Sequence, residues 1–233
     1  MVQQPHKNTS AIILKRINYA EADRIVSFIT PDYGKLRLVA KGVRKSKSKL
    51  AGGVELFCVS NISFMQSGQG LGTLVSCRLV NYYPKIVKDI DRTMLGYELI
   101  KQLDRATEDQ PESNYFQLLN NALEALNNPI VDLDLIQIWF TLQLLRIGGH
   151  KPNLRTDSSG QQLTENQDYS FNFDSMSFMP SADGRFKPNH IKFLRVGFNC
   201  NNPESLQRVI GIREVLTELK PLTQTMREIY IRL

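Results

Sequence analysis

Apolar residues fall at every second position in the first third of the chain and at every third or fourth thereafter. The change comes near Tyr82–Pro84. Before it, residues 10–17, 24–30, 35–41, 54–65 and 71–82 are rich in β-branched and apolar side chains and read as five strands. Pro31-Asp32-Tyr33-Gly34 makes a tight turn into the third strand, and Ser67-Gly68-Gln69-Gly70 joins the last two as a hairpin. Five strands with glycine-marked turns suit a small closed barrel, with the OB-fold as the candidate. Along the last strand Leu71, Thr73, Val75, Cys77 and Leu79 share one face and are expected to point inward.

Pro84 suits a first helical position, with Val87, Ile90, Met94, Tyr97 and Leu103 following at helical spacing. Ser113 is a candidate cap for a second helix carrying Phe116, Leu119, Leu123 and Leu126. Asp132 caps a third, residues 133–147, which Gly148-Gly149 ends. That helix is apolar nearly all round, as the centre of a bundle would be, although part of it could instead line a groove for a partner. Residues 151–192 are polar and turn-rich, and Tyr169-Ser170-Phe171-Asn172-Phe173 alternates like one arm of a small hairpin. Asn202 caps a helix that opens at Pro203 and carries Leu206, Val209, Ile212, Val215 and Leu219. A short terminal helix follows Pro221, with Leu222, Met226, Ile229 and Tyr230. The reading is an α+β chain: an OB-fold barrel over residues 1–82, then a helical domain over 83–233 with an insertion at about 150–195.

Charge separates the same two parts. Residues 1–83 hold twelve Lys and Arg against four Asp and Glu, a surplus of eight, whereas residues 84–233 hold seventeen against nineteen. The positive charge is densest between Lys41 and Lys49, where Lys41, Arg44, Lys45, Lys47 and Lys49 stand with no acidic residue and no apolar period. The stretch reads as an exposed, mobile loop. Lys35, Arg37 and Lys41 share the polar face of the strand before it, so strand and loop form one basic wall. A wall of that kind concentrates polyanions and contacts several phosphates at once, which points to nucleic acid.

Candidate chemistry is sparse. Cys58, Cys77 and Cys200 are few, odd in number and far apart, as buried thiols of a reducing cytoplasm are, and they have neither disulfide nor zinc spacing. His6, His150 and His190 lack companions at catalytic or metal-ligand spacing. Gly68-Gln69-Gly70-Leu71-Gly72 precedes a strand, which makes it a hairpin turn and not a phosphate loop. Lys45-Ser46 lacks the upstream glycine of a Walker motif. Glu98 and Asp104 read as solvated carboxylates on polar helix faces. The N-terminal residues are polar and no apolar run approaches a membrane span, so a cytoplasmic protein without enzymatic chemistry is expected. An OB-fold RNA-binding factor of translation or ribosome assembly, or a protein adaptor, would share the basic barrel.

Several short stretches recur together: Ala22-Asp23-Arg24, Thr30-Pro31-Asp32-Tyr33-Gly34-Lys35, Ala40-Lys41-Gly42-Val43-Arg44-Lys45, Ser48-Lys49-Leu50, Gly70-Leu71-Gly72-Thr73-Leu74 and Gly148-Gly149-His150-Lys151-Pro152-Asn153-Leu154. In these residues and in its barrel-then-helices plan, the chain resembles the bacterial RecO family of recombination mediators. The resemblance implies a nucleoid-associated protein that binds single- and double-stranded DNA and anneals complementary strands. It would engage the acidic, apolar C-terminal tail of the single-strand binding protein, and act with RecR to load RecA. The implied DNA contacts fall on Arg24, Lys35, Arg37, Lys41, Arg44, Lys45, Lys47 and Lys49. Some members hold zinc through a Cys-x-x-Cys and a second cysteine pair. Here Asp157 and Ser159 stand where the first pair would be, and residues 161–195 contain no cysteine, so neither metal nor cofactor is expected. An acidic tail needs an apolar slot and cations together, and Arg146, Lys151 and Arg155, at the end of the third helix, are the candidates.

Overall fold

Five strands, β1 (Lys7–Tyr19), β2 (Asp23–Thr30), β3 (Gly34–Ala40), β4 (Cys58–Met65) and β5 (Gly72–Tyr82), close into a barrel in the order β1-β2-β3-β5-β4. Strand β4 pairs back onto β1, and only the β3–β5 pair is parallel. The computed structural model describes residues 6–66, 70–107 and 113–231. The expected hairpin turn at 67–69 therefore lies outside the described residues, as does the side chain of Ser113. Backbone contacts gather Met1–Asn127 into one compact unit and Asn128–Leu233 into another.

The barrel interior is filled by Ile13, Val26, Phe28, Leu38, Phe64 and Leu74 with their neighbours, all nearly or fully excluded from water. On β5 the expected inward face is corrected. Leu71, Val75 and Leu79 are exposed, while Gly72, Leu74 and Cys77 point inward. One irregularity in the β4–β5 ladder explains why Cys77 points inward as expected while Leu71 and Val75 do not. Ser63 pairs with Ser76 but Phe64 with Leu74, so the extra residue Val75 reverses the parity between Leu74 and Cys77. Leu79 keeps the parity of Cys77, opposite buried Ser60, yet is exposed toward the strand's end, where a second extra residue, Val80, interrupts the ladder.

Helices α1 (Ile90–Ala106) and α2 (Ser113–Asn127) lie on the outside of β1, and α2 also reaches β2 and β3. Their cover explains why Ile12 and Ile29, on the outer parity, are buried as deeply as the interior. Helix α1 starts later than its proline suggested. Pro84 is followed by a 3-10 turn (Ile86–Lys88), and Asp89 caps the helix by accepting from the backbone N–H groups of Asp91 and Arg92 at 3.0 and 3.1 Å. The helix has two apolar stripes, and the spacing that marks it in the sequence belongs mostly to the outer one. Leu95, Leu99, Ile100 and Leu103 are buried, whereas Val87, Ile90, Met94 and Tyr97 face solvent. Gly96 marks the inner face, because a Cβ there would stand 2.7 Å from Cε1 of buried Phe57. Helix propensity alone favours Gly96→Ala by about 1 kcal/mol. The clash with buried Phe57, whose ring must shift to admit a methyl group, outweighs it, so the substitution should cost about 1–3 kcal/mol net. Urea melts that show Gly96→Ala stabilised would contradict this packing.

In the second unit α3 (Leu133–Ile147) has the expected bounds. Asp132 accepts the Leu135 N–H at 3.1 Å, and the helix is buried on every side from Leu135 to Leu145 except at Gln137. Its Trp139 indole donates to the Cys200 carbonyl at 3.2 Å, and Gln143 donates to the Gly197 carbonyl. Around it pack α4 (Pro188–Gly197), a 3-10 segment (Pro203–Arg208) and α5 (Ile212–Tyr230). Strands β6 (Tyr169–Asn172) and β7 (Ser177–Pro180) form the expected small hairpin. Helix α4 was not among the expected elements. The helix expected from Pro203 is broken at Gly211, whose φ is +71°, and α5 then runs straight through Pro221. Proline there costs one helical bond, but Leu219, Leu222 and Met226 on one buried face hold both halves against the core. Among the described residues no helix is long and apolar enough to cross a membrane.

His190 is buried at the start of α4 and its Nδ1 accepts the Lys187 N–H at 2.8 Å, so the ring is held neutral. Burial, chiefly, pushes its pKa below the ordinary 6.5. Unfolding then takes up a proton in the window below 6.5 and above the folded value, so stability should fall as pH drops through that window. Urea melts of the second unit across about pH 8 to 5 should show the loss, and His190→Gln should remove that share of it.

Candidate nucleic-acid interface

The stretch between β3 and β4 is exposed, as expected, but it is a chain of pinned turns. Val43 is buried in the barrel core and Leu50 packs against it. Gly42, at φ +64°, donates its N–H to Asp23 Oδ1 at 2.7 Å, and Arg44 N–H donates to the Ala22 carbonyl at 2.9 Å. Further turns are closed by Lys45 N–H on Gly42 and by Ser48 N–H on Lys45. The anchors hold the backbone to the barrel while Lys41, Arg44, Lys45, Lys47 and Lys49 all stay exposed. The Arg44 guanidinium donates to the Glu21 carbonyl at 3.1 Å, which adds no carboxylate to the cluster.

The strand positions are divided. Arg37 is exposed on the outer side of β3. Lys35, on the same parity, reaches α1 instead: its Nζ lies 2.7 Å from Asp104 Oδ1 and 2.6 Å from the Asp104 carbonyl. Asp104, read from the sequence as solvated, is half-buried in this pair. Arg24 pairs across the ladder with Ala40, on the inward parity, and at the strand's end its Nε donates to Asn18 Oδ1 at 3.2 Å. The structure thus leaves five loop cations exposed along one anchored rim, places Arg24 at the adjoining end of β2 and Arg37 on the outer side of β3, and ties Lys35 to a helix. Arg16 went unnoticed in the sequence. It donates to the Val54 carbonyl at 3.0 Å and to Glu55 at 2.8 Å.

In the second unit Lys151 and Arg155 line an open pocket of about 790 Å³, and Arg195 of α4 joins them. Arg146 is exposed in the last turn of α3 and is not part of the lining. Arg195 is fixed by donating to the Leu154 carbonyl at 2.8 Å, and Lys151 stands over the Phe198 ring at 5.6 Å. Pro152, Leu154 and Leu163 supply apolar wall, and no carboxylate lines the pocket. It suits an anion with an apolar companion. Sequence reasoning missed Arg195 because it lies forty residues beyond Arg155 on the unforeseen helix.

The stretch where a zinc-binding cysteine pair would stand closes by other means. Asp157 Oδ1 accepts from Ser159 N–H, Ser159 Oγ and Gln161 N–H at 2.7–2.9 Å. The Ser159 hydroxyl, first, holds its carboxyl below the usual range. Among the described residues no group of three or more His, Cys, Asp or Glu is placed to hold a metal ion. Cys77 is buried, its thiol donating to the Gly53 carbonyl at 3.0 Å, and burial pushes its pKa up to about 11.

Two family models cover this architecture. One described as recombination protein O N terminal matches residues 4–83, and one described as recombination protein O C terminal matches residues 87–232. The chain belongs to the RecO family. Relatives named DNA repair protein RecO agree over both parts. One from Dehalococcoides mccartyi strain CBDB1 is 35% identical over 234 residues, covering 93% of this chain and 88% of the relative. Another strain of that species gives 30% over 233 residues with the same coverage. A relative from Syntrophus aciditrophicus is 34% identical over 151 residues, 64% of this chain and 58% of its own length.

Proposed function

We propose that this RecO-family chain is a non-enzymatic DNA-binding mediator of recombinational repair, working in the cytoplasm on the nucleoid. It anneals complementary strands and, with RecR, helps load RecA onto DNA coated with single-strand binding protein. The barrel, residues 1–82, is the DNA module, and residues 83–233 supply protein contacts. The observation that carries this reading is the rim of Lys41, Arg44, Lys45, Lys47 and Lys49, five exposed cations on turns anchored by Val43 and Leu50. Anchored cations lose less freedom on meeting phosphates than cations on a slack loop. Arg24 and Arg37 extend the rim. Lys35, engaged with Asp104, serves as a clasp between barrel and helix.

The pocket of Lys151, Arg155 and Arg195 is assigned to the acidic tail of the single-strand binding protein, its carboxylates meeting the cations and its apolar side chains meeting Leu154 and Leu163. Binding of one single-stranded DNA, its duplex and the RNA of the same sequence, compared at one salt concentration, tests the assignment of the rim to DNA. DNA should bind at least as well as RNA. A marked preference for RNA would overturn the reading in favour of an RNA-binding factor.

A further inference from the structure

Beside the cationic rim lies an open groove of about 300 Å³ whose apolar lining includes Leu56, Phe57, Leu79, Tyr82, Val87 and Tyr97. Leu79, Tyr82, Val87 and Tyr97 are each 43–52% exposed, so a barrel strand and the segment after it leave an aromatic-rich surface uncovered. Tyr97 is fixed edge-on against buried Phe57, with ring centroids 5.2 Å apart. Gly52, the end of the basic stretch, also lines the groove. Lys49 is three residues upstream, within about 10 Å even if the chain were extended. The turn closed by Gly53 N–H on the Leu50 carbonyl shortens that path further. A strand held at Lys49 therefore has its neighbouring nucleotides within reach of the groove.

We propose that this groove is a slot for an unstacked nucleobase of the bound strand, and that it gives the protein a preference for single strands over duplex. The inference rests on the rim being a nucleic-acid contact. Two features select a base as the occupant over a phosphate. The groove's cation, Arg16, is already paired with Glu55 at 2.8 Å, so the wall offers hydrogen-bonding edges without net positive charge. Tyr82 and Tyr97, each about half exposed, offer aromatic surface, and every base has a π-face to lay on it. In a duplex the bases are stacked and paired, so only a single strand supplies the occupant without an unstacking cost.

The test compares a short oligothymidylate with an abasic strand of equal length and charge. The wild-type chain should prefer the oligothymidylate. Tyr82→Ala should weaken its binding about 5- to 150-fold, the effect of removing one stacking aromatic, and leave the abasic strand and the salt slope unchanged. Tyr82→Phe should keep the preference. Tyr97→Leu, which retains contact with Phe57 but offers no ring face, should lose it, and it carries the test if Tyr82→Ala melts early. The proposal is overturned if these variants keep the preference, or weaken both strands by one factor. Serine replacements in the loop act differently, lowering both strands together. Loop variants that bind both strands normally would sink the rim reading alone, and loss of preference in Tyr82→Ala would still support the slot.

Discussion

Replacing Arg44, Lys45, Lys47 and Lys49 with serine should flatten the log–log salt dependence of single-strand binding by about 2.8, at roughly 0.7 for each phosphate no longer neutralised. The weakening should be uniform across sequences, since groups that meet only phosphates do not read bases. Stability should change little. The four side chains are exposed, and the groups that pin the turns, Val43, Leu50 and the Gly42 N–H on Asp23, are untouched. That separation gives the experiment its force, because a weakened but fully folded variant places the phosphates on the loop. A slope that does not move would mean the cations are only solvated. Lys35→Ala should behave in the opposite way, lowering the melting temperature by breaking the pair with Asp104 while changing the slope little.

Changing Lys151 and Arg155 to alanine should weaken an acidic, apolar tail peptide on the order of 30-fold, from about 1 kcal/mol for each partly exposed charge pair. Naked DNA should bind as before. Adding Arg195→Ala should deepen the effect, whereas Arg146→Ala alone should do little, because Arg146 stands outside the pocket. Titration of a fluorescent peptide measures all of these variants. Equal weakening for peptide and DNA would show that the second unit binds polyanions indiscriminately.

The residues show why some of this was readable and some was not. Helix α3 was legible to the residue because an N-cap aspartate, a continuous apolar run and a double glycine all agree. Strand β5 was legible as a strand but not in its facing, since bulges at Val75 and Val80 leave no local mark that tells them from ordinary alternation. On α1 two apolar stripes compete, and only Gly96, which lets Phe57 approach, signals the buried one. Proline misled twice: Pro84 does not open α1, and Pro221 does not end α5. The loop cations needed no structure to find, because five of them lie within nine residues. The anchors Val43 and Leu50, the clasp of Lys35 and the third pocket cation Arg195 depend on distant segments meeting, to which spacing is blind.

Annealing of complementary strands, bare and coated with single-strand binding protein, tests the division of labour most directly. The intact chain should anneal both. The Lys151→Ala, Arg155→Ala variant should anneal bare strands at the normal rate and fail on coated ones, and the loop variant should fail on both. A pocket variant that anneals coated strands normally, or a loop variant that anneals bare strands normally, would contradict it.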